Sequence, residues 1–459
     1  MKIVLILLTS FLCSYAGFSQ FGPQQIISEI PSSLSFRVCS ADLDGDGDND
    51  ILTVSVADQT VAWYENLDGL GNFSTGHVLI SNLIDVRSAI ATDIDNDGDL
   101  DVIAASGTQN IIWFKNLDGL GAFGSQHLIS AQANATSIFA TDVDGNGTMD
   151  IISGSFSNNT VAWYVNDGLG NFGVPQIIST NAMSVNQVYA ADIDGDGDMD
   201  IVAAISGTGT VAWYENIDGL GNFSAENVIR ILSGGVTSIF AADLDGDGDI
   251  DVLSASQAGE EIAWYENLDG LGNFSSENII IVGMGSMNRV YAADLNNDGD
   301  MDVISSSPNN FGNSYIAWYE NLDGLGSFSS PNTITTEVDG PRDVLATDID
   351  NDGDLDVVYA SASPTDDKFA WHENFTILSI PEYNNTNLVV YPNPTRYTLS
   401  IKTTKFNIQK VEILDLLGKS IGTTNSNFEN INTSKLRSGI YILKIYTDNG
   451  VFTKKLSKI

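Results

Sequence analysis

Short apolar and β-branched runs alternate with polar turns along most of the chain. One stretch shows the plan: apolar runs lie at 187–191, 201–205, 210–216 and 222–229, and an acidic loop at 192–200 separates the first two. An Asp-Gly-Leu-Gly turn precedes the fourth run. Runs of this length, bounded by Gly, Asn and Asp, predict four short β-strands with a hairpin between the third and the fourth.

This four-strand unit recurs seven times. Its acidic loops begin 49 to 54 residues apart, at Asp42, Asp93, Asp142, Asp192, Asp243, Asp294 and Asp348. All seven tryptophans occupy one position in the third strand: Trp63, Trp113, Trp163, Trp213, Trp264, Trp318 and Trp371. A period of about 50 residues with four strands fits a propeller blade better than a solenoid coil. The sequence therefore predicts an all-β protein with a seven-bladed β-propeller.

The seventh unit lacks the Asp-Gly-Leu-Gly turn and a clear fourth strand. The run from Phe21 to Ser28 aligns with the fourth strand of blade three, from Phe172 to Ser179. We therefore expect the first strand of the chain to complete the last blade, which closes the ring and removes its open edges.

The composition favours an exported, acidic, folded protein. Its 459 residues carry a formal net charge of −41, and 43% of them are hydrophobic, so a large core is available. Nucleic acid and anionic membrane are poor partners for such a charge. Residues 1–19 read as a signal peptide cleaved after Ser19, with Ala16 as a second option. No later stretch is long and apolar enough to span a bilayer.

The acidic loops are candidate calcium sites. They hold 32 of the 60 acidic residues. Carboxylates on alternate residues, with Gly where the chain turns, provide the oxygens that Ca²⁺ needs at roughly 2.3–2.6 Å. Cys39 is the one cysteine beyond the leader, so calcium is a candidate staple in place of a disulfide. The alternative is a set of Asx-rich turns without metal.

In these repeats the chain resembles the FG-GAP/VCBS repeat family of calcium-binding β-propellers, which includes the integrin α-subunit head. The resemblance covers residues 21 to about 375. It implies side-chain ligands at loop positions one, three, five and nine and a main-chain carbonyl at seven. It also implies about seven Ca²⁺ ions with a structural rather than a catalytic role. Asn and Thr replacements should make the sites of blades three and six the weakest.

Carried onto this sequence, the candidate metal residues are Asp42, Asp44, Asp46, Asp48 and Asp50; Asp93, Asp95, Asp97, Asp99 and Asp101; Asp142, Asp144, Asn146, Thr148 and Asp150; Asp192, Asp194, Asp196, Asp198 and Asp200; Asp243, Asp245, Asp247, Asp249 and Asp251; Asp294, Asn296, Asp298, Asp300 and Asp302; and Asp348, Asp350, Asp352, Asp354 and Asp356.

The tryptophans allow two interpretations. Exposed aromatic faces could stack on sugar rings, whereas one Trp in the middle of each third strand is more simply packing between neighbouring blades. Cys39 aligns with apolar residues and is expected in the core. His77 and His127 are expected at the surface, and His372 has no evident partner.

Four arginines indicate a possible ligand face. Arg37, Arg87, Arg289 and Arg342 lie five or six residues before the first Asp of a loop, at the entrance of the innermost strand. They should collect near the central channel, opposite the calcium loops, where an acidic glycan or a carboxylate-bearing peptide could bind. The alternative is local pairing with acids such as Asp85 and Asp343.

The tail has a different character. Residues 386–459 contain 11 of the 19 basic residues. Alternating strands predict a small immunoglobulin-like β-sandwich. Tyr391-Pro-Asn-Pro394, Asp415-Leu-Leu-Gly-Lys419, and Leu436 to Tyr441 resemble the C-terminal sorting domain of type IX secretion cargo. We expect a signal peptide (1–19), a propeller (20–375), a linker (376–387) and a sorting domain (388–459). An ordinary binding module is the alternative for the tail.

Together these features predict a secreted or surface-attached binding or adhesion module for a glycan or protein ligand, exported by the type IX machinery. The alternatives are a polysaccharide-degrading lyase or hydrolase and a purely structural surface protein. No nucleophile motif stands out from the repeat, and histidines number three. On that basis we expect no enzymatic activity.

Overall fold

The computed structural model describes the repeat region and most of the tail. The described residues are 20–29, 34–131, 133–283, 285–308, 314–363, 366–376, 388–391, 395–403, 407–414, 419–437, 439–447 and 450–458. The expected signal peptide, nearly all of the expected linker and part of each tail motif lie outside them. So does most of the loop from Ser306 to Ser314, the longest predicted on the arginine face.

The described residues form β-strands and no helix. In chain order the strands of the repeat region are β1 (Gln25–Glu29), β2 (Ser35–Ala41), β3 (Asp50–Ser55), β4 (Thr60–Tyr64), β5 (His77–Ile80), β6 (Val86–Thr92), β7 (Asp101–Ser106), β8 (Ile111–Asn116), β9 (Phe123–Ser130), β10 (Ser137–Thr141), β11 (Asp150–Ser155), β12 (Thr160–Tyr164), β13 (Gln176–Ser179), β14 (Val185–Ala191), β15 (Asp200–Ile205), β16 (Thr210–Tyr214), β17 (Asn227–Ile231), β18 (Val236–Ala242), β19 (Asp251–Ser256), β20 (Glu261–Tyr265), β21 (Asn278–Val282), β22 (Arg289–Ala293), β23 (Asp302–Ser307), β24 (Tyr315–Tyr319), β25 (Asn332–Thr335), β26 (Pro341–Thr347), β27 (Asp356–Ser361) and β28 (Lys368–His372).

These strands form seven four-stranded antiparallel sheets. Six sheets take four consecutive strands, and the seventh has the order β1-β28-β27-β26. The innermost strands β2, β6, β10, β14, β18, β22 and β26 contact one another in sequence, and β26 contacts β2. The predicted seven-bladed propeller, closed by the first strand, is confirmed.

Burial follows the strand order within each blade. The second strand is buried along its whole length, from β3 to β27, because it has a strand on either side and a blade on either face. The outer strands, such as β5 and β13, contain only exposed and half-buried residues. The hydrophobic core therefore lies between blades rather than inside any one of them.

The tryptophans pack between blades. They are 1% to 6% exposed. A Cβ on Gly221, in the third-to-fourth-strand turn of blade four, would lie 2.2 Å from Trp163 Cζ2 of blade three, and five other blades repeat this contact. In blade seven Phe21 meets Trp318 edge-on, with ring centroids 6.5 Å apart. The packing interpretation is confirmed, and the ring contact explains the Gly that follows each Leu of the turn.

The His372 side chain has a hydrogen-bond partner in the blade that closes the ring. Its Nδ1 lies 2.8 Å from the carbonyl oxygen of Gly22, at the start of the segment that completes the ring. The expectation that His372 has no partner is therefore wrong. His77 and His127 are exposed, as predicted, and stack on Trp63 and Trp113 with ring centroids 4.8 Å apart.

The chain divides between Thr376 and Ile377 into two compact units. The second unit contains β29 (Leu388–Tyr391), β30 (Thr398–Thr403), β31 (Ile408–Leu414), β32 (Ser420–Thr424), β33 (Ile431–Asn432), β34 (Gly439–Thr447) and β35 (Gly450–Lys458). A sheet β29-β30-β33 and a sheet β32-β31-β34-β35 contribute to one core, in which Leu399 and Ile401 pack with Val411, Leu443 and Leu456.

Candidate cation loops and channel mouth

Each acidic loop is held in shape by hydrogen bonds to its own carboxylates. In blade four, Gly197 N donates to Asp192 Oδ2 at 3.0 Å, and Asp198 N donates to Asp196 Oδ1 at 2.9 Å. The other six loops repeat both bonds. The position-five side chain is therefore an Asx-type cap as well as a candidate ligand.

The ninth Asp anchors the loop to the blade. Asp200 Oδ2 accepts from Ile193 N at 3.0 Å, and Asp200 Oδ1 accepts from Asn216 N at 2.7 Å. Burial raises the pKa of Asp200 to about 7 despite these two bonds. Burial likewise raises the pKa of Asp50 to about 7 and that of Asp356 to about 8. A buried carboxylate of this kind requires a compensating cation to remain ionised without cost.

Positions one, three and nine come together. In at least five loops, one oxygen from each of the three carboxylates lies within 4.8 Å of the other two, as with Asp192, Asp194 and Asp200. Among the described residues, Asp42, Asp192 and Asp348 at position one and Asp95, Asp194 and Asp350 at position three each carry a buried oxygen that accepts no hydrogen bond. Buried acceptors without donors are costly, so the donor sets of blades one, four and seven fit a divalent cation.

The loops of blades three and six have different side chains at ligand positions three, five or seven. In blade six, Asn296 Nδ2 donates to Asp298 Oδ2 at 2.8 Å, so its amide turns a donor toward the ligand set. In blade three, Thr148 Oγ1 donates to Asn146 Oδ1 at 2.5 Å. Asn297 at position four has φ 58°, like Asn96 and Asn351 at the same position in blades two and seven, and the other four loops have Gly at positive φ there. Asn tolerates this left-handed conformation, so Asn297 itself does not weaken the site.

A ring of buried asparagines connects the loops, and no local sequence pattern predicts it. Each is the Asn three residues after the Trp. Its Nδ2 donates to the carbonyl of loop position two in the preceding blade, at 2.7 to 2.9 Å: Asn66 to Ile349, Asn116 to Leu43, Asn166 to Ile94, Asn216 to Val143, Asn267 to Ile193, Asn321 to Leu244 and Asn374 to Leu295. Its backbone N–H binds the ninth Asp of its own blade, so each candidate site is coupled to a blade interface.

The opposite end of the channel carries the arginines, on two rings rather than one. The mouth ring lies six residues before each loop: Phe36, Arg87, Thr136, Asn186, Thr237, Asn288 and Arg342. The next ring inward includes Arg37, Arg289, Asp343 and Gln187. A cavity of about 410 Å³ lies at each of these two levels.

Three of the four arginines have an acidic neighbour. Arg289 Nε lies 2.9 Å and Arg37 Nη1 lies 3.4 Å from the same oxygen of Asp343. Arg87 pairs with Asp85 at 2.6 Å. The pairing alternative therefore holds for these three. Burial, followed by the charge of Arg289, lowers the pKa of Arg37 to about 10, which still leaves it charged at neutral pH.

Arg342 differs from the other three. It is exposed at the mouth, and among the described residues no acid pairs with it. The same cavity is lined by Phe36 and by Phe156, which is 47% exposed. Arg87 and Arg37 stand over the Phe36 ring, 5.0 and 5.3 Å from its centroid. The mouth therefore combines cations, amides and aromatic faces.

Below the arginines the channel wall becomes apolar. Phe139, Tyr189, Phe240 and Tyr291 form a continuous aromatic series, with centroids 4.7 to 5.0 Å apart. Cys39 belongs to this ring and is half-buried in the channel wall rather than deep in the core. Burial raises the pKa of its thiol to about 11, so it stays protonated at neutral pH and is a poor nucleophile.

The repeat also matches a known family. Models of the FG-GAP-like repeat match six overlapping segments: 42–104, 93–153, 142–203, 196–254, 243–305 and 294–359. The chain belongs to the FG-GAP-like repeat family. Residues 389–458 match the secretion system C-terminal sorting domain, so this member is cargo of type IX secretion, delivered to the extracellular space or the cell surface. Among the described residues, no helix is long and apolar enough to cross a bilayer.

Two relatives extend this picture. Ulvan lyase NLR42 of Nonlabens ulvanivorans is 27% identical over 186 residues, which are 35% of this chain and 34% of that protein. PorZ, a surface component of the type IX secretion system of Porphyromonas gingivalis, superposes with a TM-score of 0.50 at 12% identity. That superposition covers 95% of this chain and 61% of PorZ, and it shows the fold alone.

The similarity to a lyase corrects one prediction. We expected no enzymatic activity, because the repeat contains no separate nucleophile motif. A relative that carries the name of a lyase contradicts that expectation. The absence of a motif was weak evidence, since a base and a charge-stabilising group can come from different blades without forming a local pattern.

Proposed function

We propose that this FG-GAP propeller binds an acidic polysaccharide at its channel mouth, and that Ca²⁺ ions in the acidic loops hold the ring rigid beneath it. The observation that carries the binding proposal is Arg342, which is exposed and has no acidic partner among the described residues, at a cavity lined by Phe36 and Phe156. Arginine binds carboxylate and sulfate groups through parallel N–H donors to two of their oxygens, and aromatic faces accept sugar rings.

The electrostatics of the whole chain make this mouth distinctive. The protein carries a net charge of −41, and more than half of its acids lie in the cation loops. Within the described part of the chain, four arginines at the mouth and the next ring face two acids, Asp85 and Asp343. A polyanion would therefore be repelled by most of the surface and attracted here, which supports one defined binding face rather than diffuse adsorption.

The calcium proposal rests on buried, unpartnered carboxylate oxygens at positions one and three. When bound, Ca²⁺ supplies positive charge and oxygen coordination at those atoms. The chain's own residues then transmit the effect, because the ninth Asp of each loop binds the backbone of the asparagine that joins two blades. Loading one loop should therefore stiffen its interface with the preceding blade.

Cleavage of the bound polysaccharide is the second candidate function, and the similarity to ulvan lyase NLR42 favours it. Elimination requires a base and a group that neutralises charge developing in the transition state. Arg289 and Tyr291 line the same cavity and could take these roles. Burial raises the pKa of Tyr291. Tyr291 would therefore act as a base only with a cation close to its hydroxyl, because a nearby positive charge lowers the pKa of a phenol.

A binding and turnover assay tests both functions. The purified chain is titrated calorimetrically with acidic and neutral polysaccharides, and each mixture is then assayed for new reducing or unsaturated ends. We expect binding to acidic polymers only, weakened by salt. Arg342→Glu should reduce affinity at least tenfold, because a hydrogen bond to a charged group contributes about 1.5–3 kcal/mol. Binding without new ends supports the first function, and new ends support the second.

Arg230→Glu is the matched control. Arg230 lies on β17, the outer strand of blade four, away from the mouth, and it pairs with Glu277 at 2.5 Å. Its reversal changes the net charge by the same amount and should leave affinity unchanged. Equal losses in both variants, or binding of neutral polymers with the same affinity, would contradict the proposed mouth.

A further inference from the structure

The acidic loop of blade two (residues 93–101, called loop two) has an unusual neighbour in its own blade. The residue two places after the Trp is Glu in five blades: Glu65, Glu215, Glu266, Glu320 and Glu373. It is Lys115 in blade two and Val165 in blade three. This position lies beside the loop, since the Lys115 side chain contacts two carboxylates of the loop in blade two.

Lys115 brings a positive charge into the ligand set. Its Nζ donates hydrogen bonds to Asp95, at position three, and to Asp97 Oδ2, at position five, 2.7 Å away. Asp95 also belongs to the cluster with Asp93 and Asp101, whose oxygens lie within 4.8 Å of one another. The ammonium therefore shares a carboxylate with the place that a divalent ion would occupy.

The two cations compete for the same oxygens. A calcium ion bound to Asp95 at roughly 2.3–2.6 Å would lie within a few ångströms of an ammonium that hydrogen-bonds to the same side chain. Like charges at that distance repel strongly, and the site is partly screened from water because the Asp95 side chain is 10% exposed. The ammonium is part of the chain, so it occupies the site at no cost in association entropy.

We propose that loop two is not a calcium site and that Lys115 is its built-in cation. The sequence alone placed blade two among the loops that match the calcium pattern throughout, and its five carboxylates do match. The departure lies 14 residues beyond the loop, at Lys115. Blade two would then keep its loop ordered when calcium is withdrawn, whereas blades one, four, five and seven would not.

The proposal rests on the proposed calcium sites of the other loops. The experiment therefore tests separately whether the chain binds calcium and whether loop two does. Calcium bound per chain is measured on the chelator-stripped, purified chain by equilibrium dialysis with metal analysis. Lys115→Glu, which installs the residue of five other blades, should bind one more ion than the wild type. Glu215→Lys, the reciprocal change in blade four, should bind one fewer. Lys410→Glu is the charge control and should change nothing, because Lys410 is a half-buried residue of the tail that pairs with Glu412.

The positions of the bound Ca²⁺ ions are tested without any variant. In crystals of the wild-type chain grown with Ca²⁺, anomalous scattering should appear at loop four and be absent between Asp93 and Asp101. A calcium peak at loop two, with Lys115 displaced, would overturn the Lys115 proposal and leave calcium binding intact. No bound calcium anywhere would overturn both. Lys115→Met is the substitute variant if Lys115→Glu fails to fold. It removes the ammonium without adding a carboxylate, and it should bind one more ion than the wild type, with weaker affinity.

Discussion

The side chain of Asn216 in blade four donates a hydrogen bond from Nδ2 to the carbonyl oxygen of Val143 in blade three at 2.8 Å. Val143 is the second residue of an acidic loop, and Asn216 also binds Asp200 of the next loop through its backbone N–H at 2.7 Å. One residue therefore joins two candidate cation loops across a blade interface. Seven such bonds make the loops and the ring one mechanical unit.

Replacing this asparagine should loosen the interface. Asn216→Ala leaves the buried Val143 carbonyl without its side-chain donor, which costs about 1–3 kcal/mol. Asn222→Ala is the control, because Asn222 is exposed and binds Asp218 within its own turn. Chemical denaturation should show a clear loss of stability for the first variant and little for the second. Equal stabilities would contradict the role of the asparagine ring.

The Gly at the end of the third-to-fourth-strand turn should be essential because of its neighbour as well as its backbone. Gly221 has φ 79°, and a Cβ there would lie 2.2 Å from Trp163 Cζ2. Gly283 has φ 80° with no heavy atom within 4 Å of a Cβ. Alanine at either site costs about 1–2 kcal/mol for the left-handed backbone. Gly221→Ala should lose about 1–3 kcal/mol more through overpacking. Equal losses in thermal unfolding would refute the contact.

His372 should make ring closure sensitive to acid. Burial lowers the pKa of His372 in the folded chain. The unfolded chain, with a His pKa of about 6.5, then binds more protons in the window below that value. This contribution to stability is complete above about pH 6.5 and is lost as the pH falls toward the lower folded pKa.

Tyrosine occupies the same position in five other blades, for example Tyr214, so His372→Tyr is a matched variant. Unfolding is measured at about pH 7.5 and about pH 5 with Ca²⁺ present. The wild type should lose more stability between these values than the variant does. Parallel losses in the two proteins would mean that His372 stays uncharged or exposed in this range.

Much of this architecture follows from the sequence because the repeat amplifies weak local signals. Seven Asp loops and seven tryptophans in register predict blades, and the likeness between Phe21 to Ser28 and Phe172 to Ser179 predicts the closing strand. The asparagine ring was not predicted, since Asn beside a turn is commonplace and its acceptor lies more than 70 residues away.

The channel shows the same limit. That Arg37 and Arg289 share Asp343 depends on three blades meeting at the axis, and no local pattern encodes it. The substitution at Lys115 is visible in the sequence, but only the fold reveals that its ammonium reaches Asp95 and Asp97. Residues that act across blades are invisible to spacing within one repeat.

The account depends most on the acidic loops as calcium sites, and calorimetry tests this directly. With dissociation constants of about 10⁻⁴–10⁻³ M, each loaded loop gains about 1.4–2.7 kcal/mol at about 10 mM Ca²⁺. The unfolding temperature of the purified chain should therefore fall sharply after EGTA treatment and recover when Ca²⁺ is restored at constant ionic strength. An identical unfolding temperature in the stripped and the reloaded protein would contradict the account.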